Sequence, residues 1–259
     1  MKAPYSKTTS IPVLITLAVA LGAGACKNSE GKLSLPKAVT EYLPASSEAW
    51  PDSAGAIENK ALAGVARDVW DFNMRTSPTW ATYMGDERFH GDLADNREIG
   101  RMNRNKARSD FLLRMAGIKA RGLNDADRLT MALLQRSLTD AIATEDMAMD
   151  DWNVNARGGP QTSFLSLATD QPVSTPKQRA QLLQRWRRMA PHIRQSSRNL
   201  TAALAEGKVG SATAIEKVLA QLETILDTPT HLSPLMAPAT AGGTWADLEG
   251  GRNLAAFAA

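Results

Sequence analysis

From Ile57 onward, apolar residues return every three or four positions along most of the chain, and that period predicts helices. Ile57, Ala61, Val65 and Val69 recur every four residues, with Leu62 and Phe72 beside them, and the pattern stops near Arg75 ahead of Pro78. Ser77 is placed to cap a short helix from Pro78 to Met84, with proline at its first position and Gly85 at its end. A helix is expected from about Arg97 to Arg121, with Phe111, Met115 and Ile118 on one face. Gly122 and Asn124 then read as a stop and a new cap, with Asp127 three residues later. Leu134, Leu138 and Ile142 give the clearest stripe of the chain, with Leu129 and Leu133 alongside.

Asp150 to Ser174 reads as a long connection that holds Gly158, Gly159 and Pro160. Thr175-Pro176-Lys177-Gln178 is a capping box with proline at the first helical position. Leu182, Trp186, Met189 and Ile193 carry its stripe, Leu200 and Leu204 extend it, and Pro191 is expected to kink or break it. Gly207 and Gly210 bracket a turn, with Ser211 or Thr213 as the next cap. Ile215, Val218, Leu222 and Ile225 follow, up to Pro229. A last amphipathic pattern opens at Thr244. No alternating strand pattern and no fixed repeat stands out. The fold class expected is all-α, built of antiparallel helical hairpins.

Composition agrees with that class. Aromatic residues make up 5% of the chain and charged residues 22%, while Ala, Leu, Arg, Met and Gln, all good helix formers, are frequent. The N-terminus changes the picture more. Lys2 and Lys7 precede an apolar run from Ile11 to Leu21, too short to span a bilayer as a helix, and Ala23-Gly24-Ala25 lead to Cys26. Residues 1–25 therefore read as a signal peptide. Small residues before a lone cysteine resemble a bacterial lipoprotein signal, which makes Cys26 the lipidated new N-terminus. The other reading is an ordinary signal peptidase site with Cys26 merely nearby. Lys27 after the cysteine, by resemblance to Gram-negative sorting rules, points to an outer-membrane lipoprotein facing the periplasm; without lipid the product is periplasmic. Residues 26–55, rich in Ser, Pro and Gly, read as a tether.

Cys26 is the only cysteine, so no intrachain disulfide forms. Removal of the leader takes away Lys2 and Lys7 and no acid, so the formal charge of +3 falls to +1. A nucleic-acid partner gains little support from that balance.

Candidate chemistry is thin. The stretch SPTWATYMGDERFHGDLAD, from Ser77 to Asp95, sets His90 among Asp86, Glu87 and Asp92. A metal site would want a second histidine at helical or hairpin spacing, and none is near. The acids fit turns and caps better. His90, His192 and His231 are far apart, and no His-x-x-x-His pair, Gly-x-Ser-x-Gly elbow, phosphate loop or dinucleotide fingerprint occurs. Lys177, Arg179, Arg185, Arg187, Arg188, Arg194 and Arg198 lie in a stretch without an acid before Glu206, which reads as a solvated helix face rather than a surface for anionic lipid or an acidic partner. Trp80, Trp152, Trp186 and Trp245 are expected in the core.

The order of these pieces carries a resemblance. SPTWATYMGDERFHGDLAD, then LNDADRLTMALLQRSL, then the paired helices from Ser174 to Leu226 resemble the DUF885 family of bacterial proteins over about residues 56–238. That resemblance implies the N-terminal part of a larger helical, zinc-metallopeptidase-like fold. In longer members a His-Glu-x-x-x-x-His type of metal motif lies in the C-terminal half, and it has no counterpart here. No catalytic residue, no metal ligand and no cofactor is therefore assigned to this chain; zinc and a peptide substrate belong to full-length relatives. Pro78, Gly85 and Asp86 match the family motif and are assigned structural roles. Residues 239–259 read as the start of a truncated continuation. The function expected is that of an N-terminal, inactive portion of an exported zinc-peptidase-like protein. The alternative is a complete α-helical lipoprotein that binds or scaffolds.

Overall fold

A computed structural model of the chain describes residues 54–152 and 154–240, together with two short strands nearer the N-terminus. Those strands, β1 (Cys26–Lys27) and β2 (Leu33–Ser34), pair antiparallel. Otherwise the regular structure is helical: α1 (Lys60–Thr76), α2 (Pro78–Tyr83), α3 (Glu98–Ala116), α4 (Asp125–Asp146), α5 (Pro160–Asp170), α6 (Pro176–Ala205), α7 (Ala212–Asp227) and α8 (Ala237–Thr240), joined by single turns of 3-10 helix. The all-α class is what the period predicts. The signal peptide, the tether up to Ser53 and the pattern opening at Thr244 with Trp245 lie outside the described residues, apart from the backbone of the two strands.

The chain divides into two compact units. The first comprises residues up to Phe72 and Lys106 to Ile142. Its core joins Ile57, Leu62, Val65 and Val69 to Met115, Leu123 and Leu138, with Phe111, Ile118 and Leu134 packed against them. Phe72 meets Phe111 edge to face at 5.5 Å between ring centroids. Two helix starts are tied together here. Asn59 caps α1 by accepting from the Leu62 amide at 3.0 Å. Asp127, buried near the start of α4, accepts from the Asn59 amide at 2.9 Å and from the Glu58 amide at 3.3 Å. Asn124 in turn accepts from the Asp127 amide at 2.7 Å, as its place after Gly122 predicts. One carboxylate thus holds amides at a helix start more than sixty residues away in sequence, where the helix dipole also favours it.

The second unit comprises Asn73 to Asn105 and the chain from Ala143 onward. Its apolar cluster is Phe164, Leu167 and Ala168 from α5 against Leu182, Trp186 and Met189 from α6, with Leu93, Val173 and Leu235 at its edge. Three expectations are corrected here. The connection from Asp150 to Ser174 is not structureless, because Pro160 opens α5 with Gly159 as its cap. The Gly-Pro pair is a start signal of the same kind as Ser77-Pro78. Pro191 does not break α6, which runs unbroken from Pro176 to Ala205. Pro191 and Arg187 both face solvent, so the carbonyl that loses its amide partner can turn to water. Trp80 is not a core residue, being 39% exposed, whereas Trp186 is buried.

The capping box at the start of α6 forms in full: Thr175 Oγ1 accepts from the Gln178 amide at 3.2 Å, and Gln178 Oε1 accepts from the Thr175 amide at 3.1 Å. Ser211, not Thr213, caps α7 by accepting from the Ala214 amide. Ser77 stands at the cap position of α2, but its side chain makes no capping bond.

Candidate functional site

The described residue that departs most from ordinary placement is Arg185. It lies on α6 between Leu182, Trp186 and Met189, on the apolar stripe of that helix, and it is fully buried. The expectation of a solvated basic face fails for this residue, because its spacing puts it on the inward side. All five of its N–H donors find oxygen. Nε donates to the Asp92 carbonyl at 2.9 Å. Nη1 donates to Thr82 Oγ1 and to Gln171 Oε1, each at 2.8 Å. Nη2 donates to the Pro78 carbonyl at 3.1 Å and to the Phe89 carbonyl at 2.8 Å. Four of these acceptors belong to the stretch from Pro78 to Asp92, and none is a carboxylate. Burial pushes its pKa down to about 10, with the Tyr83 hydroxyl opposing that drop. The guanidinium stays charged at neutral pH, solvated by fixed dipoles in place of water.

The loop it holds is built to receive it. Pro78 opens α2 and is buried. Its carbonyl also accepts from Thr82 Oγ1 at 3.1 Å, so the Thr82 hydroxyl donates along α2 and accepts from Arg185. Gly85 ends the helix with φ of 84°. The Gly85 amide donates to the Thr82 carbonyl at 2.9 Å and the Asp86 amide to the Ala81 carbonyl at 2.8 Å, the paired bonds of a Schellman turn. Asp86, fully buried, caps the next turn by accepting from the Arg88 amide at 3.1 Å, and both its oxygens accept from the Arg88 guanidinium, Oδ2 at 2.7 Å. Glu87 is bound from α6: its carboxylate accepts from Gln178 Nε2 at 2.7 Å and its carbonyl from Gln181 Nε2 at 2.8 Å. Asp92 pairs with Arg188.

His90 is fully buried in the same loop. Its carbonyl accepts from Gln171 Nε2 at 3.0 Å, so Gln171 bridges His90 and Arg185. Neither ring nitrogen has a hydrogen-bond partner. Burial, reinforced by the nearby Arg185 charge, pulls its pKa down to about 4, against the weaker opposing pull of Glu87 and Asp86. The ring is therefore neutral at physiological pH and closed off from solvent.

These residues do not fit a zinc ion. Among the described residues no group of three or more His, Cys, Asp or Glu side chains converges as a ligand set. Around His90 the two nearest carboxylates are engaged, Asp86 by Arg88 and Glu87 by Gln178. A zinc site needs about four ligands at roughly 2 Å. The arrangement instead binds backbone carbonyls to a buried cation, which fixes the path of the loop.

Of Pro78, Gly85 and Asp86, the residues singled out in the sequence, the structure places Pro78 at the start of α2 and Gly85 and Asp86 in the turn that ends it. It missed Arg185, Gln171, Gln178 and Gln181 as members of the same network. One signal could have found Arg185: it occupies an apolar-stripe position three residues after Leu182 and four before Met189. A second polar network in this unit had no such signal. Arg104 and Arg101 pair with Glu145 and Asp151, both pairs largely buried. Asn199 donates to the Asn96 carbonyl at 2.7 Å and to Asp151 at 3.0 Å, and Asn96 donates to the His192 carbonyl at 3.1 Å.

No curated protein matches the chain. A family model, described as a bacterial protein of unknown function (DUF885), matches residues 78–257. The match begins at Pro78, the residue whose carbonyl meets Arg185, and covers more than half of the chain. The chain belongs to the DUF885 family.

Proposed function

We propose that this chain supplies the non-metal helical portion of an exported, lipid-anchored, zinc-peptidase-like protein, and that it forms one wall of a cleft rather than the reacting centre. One observation carries this reading. The family-matched stretch from Pro78 to Asp92 has its charged side chains, Asp86, Glu87, Arg88 and Asp92, engaged within the fold. Arg185 takes four of its oxygens, Arg88 takes the Asp86 carboxylate, and Gln178 takes the Glu87 carboxylate. A general base or nucleophile must reach a substrate atom, and His90 is enclosed. Export rests on the apolar leader and its small residues, and anchoring rests on Cys26.

The test is peptide hydrolysis. The purified chain, supplied with zinc and a mixture of unstructured peptides, is expected to cleave none of them. Zinc-dependent cleavage that disappears in Asp86→Ala would sink the proposal. Anchoring is checked separately by labelling cells with a fatty-acid analogue. The label is expected on the wild-type chain and absent from Cys26→Ser, and equal labelling of both would refute lipidation at that position.

A further inference from the structure

We infer that the outer face of α6 is a docking surface for an anionic lipid bilayer. This stands apart from the peptidase reading and survives its failure.

The acid-free basic stretch does not behave as one face. Arg185 leaves it for the interior. Arg179 turns back onto the Val173 and Ser174 carbonyls, capping the connection that enters the helix. Arg188 pairs with Asp92. What remains is Lys177 in the first turn and Arg187, Arg194 and Arg198 further along; the last three form the line. Successive steps of seven and four residues put these three on one line of the helix, because a turn takes about 3.6 residues. All three are exposed. Arg198 is engaged only by the neutral amide of Gln195, and no carboxylate pairs with Arg187 or Arg194 among the described ion pairs. No acid occurs anywhere in α6. The acids beside it lie about a third of a turn round, Asp92 held by Arg188 and Asp151 by Asn199 and Arg101. At the helix end Glu206 is held by Lys208.

Next to this line lie Ala190, Ser197 and Thr201, and beyond them Ile193, Leu200 and Leu204, which are 49%, 40% and 63% exposed. Around the helix the sequence of edges is thus arginine, small residue, aliphatic residue; the aliphatic edge continues the line of the buried Leu182, Trp186 and Met189 and is exposed from Ile193 onward. An acidic protein partner would account for the arginines alone. A bilayer surface accounts for both edges, since headgroups take the cations and the acyl boundary takes the aliphatic side chains. Three arginines held near an anionic leaflet supply on the order of a hundredfold in partitioning.

The experiment is vesicle co-flotation of the full chain at low salt. Wild type is compared with R187E/R194E/R198E and with R187K/R194K/R198K, on phosphatidylcholine vesicles with and without roughly a third phosphatidylglycerol, a charge density on the scale of anionic leaflets. The leader segment is common to all three proteins, so only differences between them are read. Wild type is expected to prefer the anionic vesicles. The charge reversal is expected to lower that preference by on the order of a hundredfold, and the lysine variant to keep it, because lipid attraction follows charge rather than the guanidinium fork. The three proteins are expected to share one unfolding midpoint, since the substituted side chains are exposed. Equal binding by wild type and the glutamate variant overturns the inference. So does loss of binding in the lysine variant, or preference for a soluble polyglutamate over the vesicles, each of which would assign the face to a carboxylate partner.

Discussion

Arg185 Nη2 donates to the carbonyl oxygen of Pro78 at 3.1 Å across 107 positions of sequence, and that bond ties the middle of α6 to the first residue of the family match. Four other N–H groups of the same guanidinium close on Thr82, Phe89, Asp92 and Gln171. The loop from Gly85 to Asp92 has no sheet or long helix to fix it, and Arg185 holds it at Phe89 and Asp92 together with bonds from Arg88, Gln171, Gln178 and Gln181.

Arg185→Lys is therefore not a conservative change. An ammonium on a flexible stem reaches at most three acceptors and cannot copy the planar fork. Buried acceptors that no other donor reaches would cost about 1–3 kcal/mol each, offset where the loop rearranges. Chemical denaturation should show a loss of about 3 kcal/mol or more. Arg185→Met should lose a similar amount, since five acceptors lose the guanidinium, and only the Pro78 and Phe89 carbonyls keep another donor, Thr82 Oγ1 and the Asp92 amide. A loss in either variant no larger than that of an ordinary surface change would contradict the role given to Arg185.

His90 sets an acid limit on stability. Its folded pKa, about 4, lies below the usual 6.5, so the unfolded state binds the proton more readily. The stabilisation is fully present above pH 6.5 and is lost as the pH falls from there towards 4. The groups that act on the ring are Arg185 and Lys177, which depress its pKa, and Glu87 and Asp86, which raise it. The whole effect is worth up to about 3 kcal/mol. His90→Phe should flatten the fall in unfolding midpoint between pH 6.5 and 4.5. A slope unchanged by that substitution would place the acid sensitivity elsewhere.

In the first unit, Asp127→Ala should destabilise by about 1–3 kcal/mol, because it strips the Glu58 and Asn59 amides of their acceptor. Asp127→Asn, which keeps one acceptor oxygen, should recover part of that. Hydrogen exchange at the Glu58 and Asn59 amides gives the direct readout. Protection there equal to wild type in Asp127→Ala would show that the bond contributes nothing.

The sequence made the helix boundaries legible where a side chain talks to nearby backbone. Thr175 with Gln178, Asn124 with Asp127, and Ser211 with Ala214 all act within three residues. It was silent where the partner is a backbone carbonyl far along the chain. Carbonyls are the same at every position, so nothing in the letters from Pro78 to Asp92 announces that they converge on an arginine near position 185. The charge of that arginine suggested solvent, and only its place on the apolar stripe argued otherwise. Pro191 misled for a related reason: a proline weakens a helix by about 3 kcal/mol, yet the packing of Leu182, Trp186 and Met189 on one side and water on the other offset it. Gly159-Pro160 could have revealed α5, but the glycines around it read as a loop.

With the Asp86 and Glu87 carboxylates engaged and the His90 ring enclosed, the acid-rich loop is expected to act as architecture and to hold no metal. Zinc content of the purified chain, measured by elemental analysis after equilibration with excess zinc and desalting, tests it most directly. No stoichiometric zinc is expected, and the same result for wild type, Asp86→Ala and His90→Ala. Stoichiometric zinc in the wild type that is lost in either variant would contradict it.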